Sequence, residues 1–192
     1  MSRARALLLG LSLLSGCGTD TGGGTGSCTD ESNPSAPNVA PNPGFECGDP
    51  PTGWNGPLTG TLGVSPGRSG NAAKVSAKAN SADQVKLTLA TAEPVAVAPL
   101  AGTWCVSAWL RGTAANGVVI LRRDLGGGSM VDEASFEPLA AEWKKFSHQA
   151  VIPASDTRLF FAAGMRGPQA GQYVEVDDVQ VWKSASGSCT ER

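Results

Sequence analysis

Between about residues 42 and 183, apolar side chains recur at every second position in short runs: Ala73-Val75-Ala77, Val85-Leu87-Leu89, Val95-Val97, Trp104-Val106-Ala108-Leu110 and Leu159-Phe161-Ala163. Successive side chains of a strand point to opposite faces, so a period of two predicts strands buried on one face. Turn formers separate the runs, at Ser65-Pro66-Gly67-Arg68-Ser69-Gly70-Asn71, Ala114-Ala115-Asn116-Gly117 and Gly126-Gly127-Gly128. Strands spaced by roughly 8 to 12 residues predict an all-β sandwich of two antiparallel sheets. No stretch carries apolar i, i+3, i+4 periodicity over three turns. Glu133 to Trp143 comes nearest, but Pro138 interrupts it, and it reads as strand, loop and the start of the next strand.

The first residues follow another pattern. Arg3 and Arg5 precede an apolar stretch from Ala6 to Leu14, and Leu14-Ser15-Gly16-Cys17 follows directly. A basic start, an apolar run too short for the roughly 20 residues of a membrane-spanning helix, and small residues at its end form a secretory signal. Leu14 to Cys17 resembles the lipobox of bacterial lipoproteins, which implies cleavage after residue 16 and lipidation of Cys17. Gly18 in place of an Asp implies, by the same resemblance, sorting to the outer membrane. Residues 17–40 are rich in Gly, Ser, Thr, Pro and Asn and read as a flexible tether. The expected organisation is therefore signal peptide 1–16, tether 17–40, sandwich 41–184 and tail 185–192.

Charge removes two classes of partner. The 15 basic and 17 acidic residues become 13 and 17 once Arg3 and Arg5 leave, a net charge of −4. That balance offers no electrostatic footprint for nucleic acid, and it leaves the lipid on Cys17 as the expected link to the membrane. Apart from Cys17, the cysteines are Cys28, Cys47, Cys105 and Cys189, an even number in an exported chain, which reads as two disulfides with three possible pairings. With no C-x-x-C and a single His148, a zinc site is not expected.

Catalytic constellations are poorly represented. His148 is the one imidazole, no Gly-x-Ser-x-Gly occurs, and Gly126-Gly127-Gly128 opens no helix and lacks the Lys-Ser/Thr of a phosphate loop. Asp177 and Asp178 are adjacent, and neighbours on a regular strand point apart, whereas the carboxylates of a glycosidase flank one bond. The chain is not expected to be an enzyme.

The informative blocks occur in order: Asn42-Pro43-Gly44-Phe45-Glu46 with Gly53-Trp54, then Gly67 to Ala73, then Ser107-Ala108-Trp109-Leu110-Arg111, and finally Val174-Glu175-Val176-Asp177-Asp178-Val179. This series resembles the CenC-type carbohydrate-binding modules, jelly rolls with a galactose-binding-domain-like fold. The resemblance implies a structural calcium held by Glu46, expected at the end of the first strand, and by Asp177 or Asp178 of the last strand, Asp177 being favoured, together with loop carbonyls. Hard oxygen ligands of this kind suit that ion.

If Trp104, Val106, Ala108 and Leu110 form a core face, Trp109 and Arg111 lie on the opposite one, where the resemblance implies a glycan site. Trp109 is then expected to stack on a sugar ring and Arg111 to donate to hydroxyls, with Trp54 as a further candidate. Because the first and last strands of a jelly roll lie together, the resemblance also implies pairing of Cys28 with Cys189, leaving Cys47 with Cys105. The expected function is a monomeric, non-catalytic, lipid-anchored module that recognises a glycan. The alternative is a structural or protein-interaction module of the cell envelope.

Overall fold

In the computed structural model residues 36–190 are described; the expected signal peptide, most of the tether, Cys17 and Cys28 lie outside them. The strand phase holds. In β6 (Gly102–Gly112) Trp104, Val106, Ala108 and Leu110 enter the central core. So do Leu159, Phe161, Ala163 and Met165 of β10 (Arg158–Arg166), Leu87 and Leu89 of β4 (Lys86–Thr91), and Ala73, Val75 and Ala77 of β3 (Asn71–Ala77). A large aliphatic or aromatic side chain withdrawn from water in this way contributes about 1.5–3 kcal/mol.

The remaining strands are β1 (Trp54–Asn55), β2 (Gly60–Pro66), β5 (Ala96–Val97), β7 (Asn116–Asp124), β8 (Met130–Pro138), β9 (Lys144–Ile152) and β11 (Tyr173–Lys183). The segment around Pro138 is thus strand, loop and strand, and the described residues contain no helix. Two antiparallel sheets enclose the core as a jelly-roll sandwich. Sheet I has the order β1-β4-β10-β7-β8 with β5 also on β10, and sheet II the order β2-β3-β11-β6-β9.

Three features depart from the expected layout. First, Glu46 does not end a strand. The segment before it lies along β11, with the Val39 amide donating to Val181 O at 2.8 Å and the Val179 amide to Pro43 O at 2.9 Å. Asn38 reinforces this by donating to Val179 O and accepting from the Val181 amide.

Second, β11 contains an irregularity between Asp177 and Gln180, and Asp178 there has φ 48°. Strict alternation fails, so Asp177 and Asp178 do not simply point to opposite faces: both reach Arg68.

Third, the disulfide pairing differs. Cys105 is joined to Cys189 with Cα atoms 5.6 Å apart, which rules out both Cys28 with Cys189 and Cys47 with Cys105. The chain leaving β11 turns back beside β6, where the Ser184 amide donates to Thr103 O at 2.9 Å. Cys189 thereby reaches outward-facing Cys105 in a small apolar cluster with Ala36 and Trp182. Cys47 is also disulfide-bonded.

Candidate functional site

The outward face of sheet I holds an apolar floor of mostly small side chains. Ala90, Ala162, Ile120 and Ala134 stand in one row across β4, β10, β7 and β8, and Thr88, Gly164, Val118 and Phe136 in the next. At Gly164 a Cβ atom would lie 2.2 Å from Leu87 O, so this position admits no side chain. Val118, Ile120 and Ala162 face away from the core, yet none is more than 1% exposed.

The cover is visible in the ion pairs. Lys86 on β4 donates to Asp132 Oδ2 on β8 at 2.8 Å. Because β10 and β7 lie between those strands, the pair spans roughly 14 Å of sheet and passes over the floor. Arg122 completes the strap, its Nε 2.7 Å from Asp132 Oδ1 and Nη2 3.3 Å from Oδ2. Burial raises the Asp132 carboxyl, but the hydrogen bonds from Arg122 and Lys86 outweigh it and hold the group below its ordinary range.

Two adjoining recesses open beside the strap, of about 440 and 280 Å³, sharing Asn55, Ala90 and Arg122. Lys86, Thr88 and the loop 56–59 bound the larger, and Met130 and Phe160 line the smaller. Leu58 at the loop tip is fully exposed. At the other end Arg166 sits over Phe136, its Cζ 5.0 Å from the ring centre.

The expected ligand residues are placed elsewhere. Trp109 and Arg111 face away from the core, but on sheet II, the opposite side of the sandwich. The Arg68 guanidinium lies 3.8 Å over the Trp109 ring. Arg111 donates to the buried Glu175 carboxylate and to Pro66 O, and its guanidinium lies 4.5 Å over Trp143. Both are therefore engaged within the protein. Trp54 does not join them: it is a core residue, 5% exposed, in contact with the rings of Phe45 and Phe161 and donating from Nε1 to Pro41 O at 2.9 Å.

Glu46 and Asp177 are brought to one place, the turn 67–71. Glu46 Oε1 accepts the Asn71 amide at 3.0 Å, and Asp177 Oδ2 the Arg68 amide at 2.7 Å. The turn glycines make this possible: Cβ atoms at Gly70 and Gly67 would fall 2.0 Å from Glu46 Oε1 and 2.6 Å from Asp177 Oδ2. Asp177 is fully buried, and that burial, with the nearby charge of Asp178, pushes its carboxyl up to about 6 despite backbone donors from Arg68, Asp178 and Ser69. Glu46 Oε2 is buried without a hydrogen-bond partner. Asp178 is instead paired with Arg68. Among the described residues no three His, Cys, Asp or Glu side chains gather for a metal, so a cation at this turn would draw its other ligands from neutral oxygens. An orphaned carboxylate oxygen beside a high-pKa carboxyl fits such a hard cation.

No protein-family sequence profile and no curated protein sequence matches the chain. The fold is that of carbohydrate-binding modules. The CBM22-1 xylan-binding domain of Paenibacillus barcinonensis Xyn10C is similar with a TM-score of 0.57 and 15% identity, over 74% of this chain and 93% of that domain. A family 16 carbohydrate-binding module gives 0.56 and 16%, over 75% and 99%. TmCBM61, solved with β-1,4-galactotriose, gives 0.50 and 18%, over 77% and 99%.

Proposed function

We propose that this chain is a non-catalytic glycan-binding module, held at the outer membrane by a lipid on Cys17, with its ligand lying along the recessed face of sheet I rather than against Trp109 and Arg111. The observation that carries the reading is the small-residue floor, Ala90 to Ala134, bordered by recesses into which Arg122 and Asn55 project. A sugar ring needs a shallow apolar surface and polar groups at its margin for hydroxyls. Phe160 offers the first, and Asn55, Lys86 and Arg122 the second. The shared fold with modules that bind xylan or galactotriose supports the same reading.

A structural calcium belongs to the proposal, held by Glu46 and Asp177. When bound it would supply positive charge to two carboxylates that the fold holds at one turn. Asp178 serves indirectly, by fixing Arg68 against the turn.

The test is affinity electrophoresis of the protein through gels containing a panel of plant and microbial polysaccharides. Retardation by at least one polysaccharide, abolished in Ala90→Trp where an indole fills the recess and preserved in Trp109→Ala, is the expected result. No retardation by any of them would leave the envelope-scaffold role as the surviving reading.

A further inference from the structure

The strap across sheet I is a carboxylate-binding arrangement already filled by the protein's own carboxylate. Arg122 meets both oxygens of Asp132, and Lys86 adds a third contact. A guanidinium fork and an ammonium converging on one carboxyl group make the donor set that would receive the carboxylate of a ligand. Arg166 adds a third cation to the same face, held by Asp83 O and Gln84.

The strap also blocks the floor. A polymer lying along Ala90, Ala162 and Ile120 must displace the contact between β4 and β8, because that contact crosses the strands on which the floor stands. A neutral glycan that opened it would leave Lys86 and Arg122 without their anion. An acidic one would offer a replacement. The exchange is feasible because the three side chains are 22 to 37% exposed, and partly solvated ion pairs of this kind are individually weak.

We infer that the ligand of this face is an acidic polysaccharide whose uronate carboxylate takes the place of Asp132 between Lys86 and Arg122. The inference rests on the reading of sheet I as a glycan-binding face. General attraction would not favour such a ligand, since the protein as a whole carries a net negative charge, so its binding would depend on this local site.

Polygalacturonate and its fully methyl-esterified form separate the possibilities, because they share a backbone and differ in charge; xylan and galactan serve as neutral polymers. Binding is measured by affinity electrophoresis and calorimetry. Polygalacturonate is expected to bind, with at least a tenfold loss on esterification. Asp132→Asn should tighten polygalacturonate binding severalfold, because the competing carboxylate is gone, and Arg122→Gln should weaken it at least tenfold. Melting temperatures establish that the variants fold; Lys86→Gln, with a weaker loss of the same sign, replaces Arg122→Gln if that one does not, and Asp132→Ala replaces Asp132→Asn. Equal binding of the acid and its ester, binding of xylan or galactan alone, or weaker binding by Asp132→Asn would overturn the inference and leave the glycan-binding reading standing. Binding to none of these polymers or of the wider panel would remove both.

Discussion

Glu46 and Asp177, far apart in the chain, hold the same turn: the one accepts the amide of Asn71 at 3.0 Å and the other that of Arg68 at 2.7 Å. Asp177 does so while fully buried, at a cost visible in its carboxyl pKa of about 6. A folded pKa above the unfolded value means that the native state binds more protons between the two. Stability through this group is therefore full at low pH and lost as pH rises through about 6. In chelator, the native protein should lose on the order of 1–3 kcal/mol from this group on going from pH 4 to pH 7. Thermal unfolding of wild type and Asp177→Asn between pH 4 and 7 checks this, the variant showing the flatter profile. Added calcium should raise the wild-type midpoint most at pH 7, since the cation binds the ionised form and stabilises by mass action. A midpoint indifferent to both pH and calcium would reduce the pair to a turn clamp.

Gly70 reports on the same clamp. Alanine there would place Cβ 2.0 Å from Glu46 Oε1 at φ +68°, whereas at Gly127, with φ +62°, nothing lies within 4 Å. Gly127→Ala should therefore cost only the left-handed strain of about 1–2 kcal/mol, and Gly70→Ala distinctly more. Chemical denaturation of the two variants measures the difference, and equal costs would mean that Glu46 yields freely.

The two tryptophans should separate cleanly. Trp54→Ala empties a core site between Phe45 and Phe161 and is expected to cost about 3–5 kcal/mol. Trp109→Ala loses mainly the contact with Arg68, worth about 0.5–1 kcal/mol at a partly exposed site. Urea unfolding midpoints of the two variants give the comparison, and near-equal losses would contradict the placement of Trp54 in the core alone.

Cys105 and Cys189 close a loop of sequence separation 84, so Cys189→Ser should cost about 4.5 kcal/mol in the chain-entropy description, within a usual range of about 2–5 kcal/mol. Peptide mapping of the unreduced protein should recover the two cysteines in one linked fragment. Recovery of Cys28 joined to Cys189 would restore the pairing that the sequence suggested.

Much of this fold was legible in the sequence because period two is a direct consequence of strand geometry: Trp104 to Leu110 and Leu159 to Ala163 enter the core as their spacing requires. The outward placement of Trp109 and Arg111 followed from the same phase, and the gathering of Glu46 and Asp177 from family resemblance. The recess on sheet I did not follow. Which sheet is recessed depends on strand order and curvature, and which cation covers Trp109 depends on a turn 41 residues away in sequence. One signal was available: β7 reads Val118-Val119-Ile120-Leu121, apolar at consecutive positions and buried on both faces. In an antiparallel sandwich that pattern means that the outer face is covered as well. The disulfide escaped because Cys189 follows the last strand, where the path of the chain is set by tail contacts such as Ser184 with Thr103 rather than by periodicity.

Sheet I is the proposed ligand face. That placement is tested most directly by backbone amide resonances during titration with oligogalacturonides and xylo-oligosaccharides. The largest shifts are expected at Thr88, Ala90, Ala134 and Gly164, with the amides of Trp109 and Arg111 unmoved. Shifts centred on Trp109 and Arg111, with the floor residues silent, would contradict it.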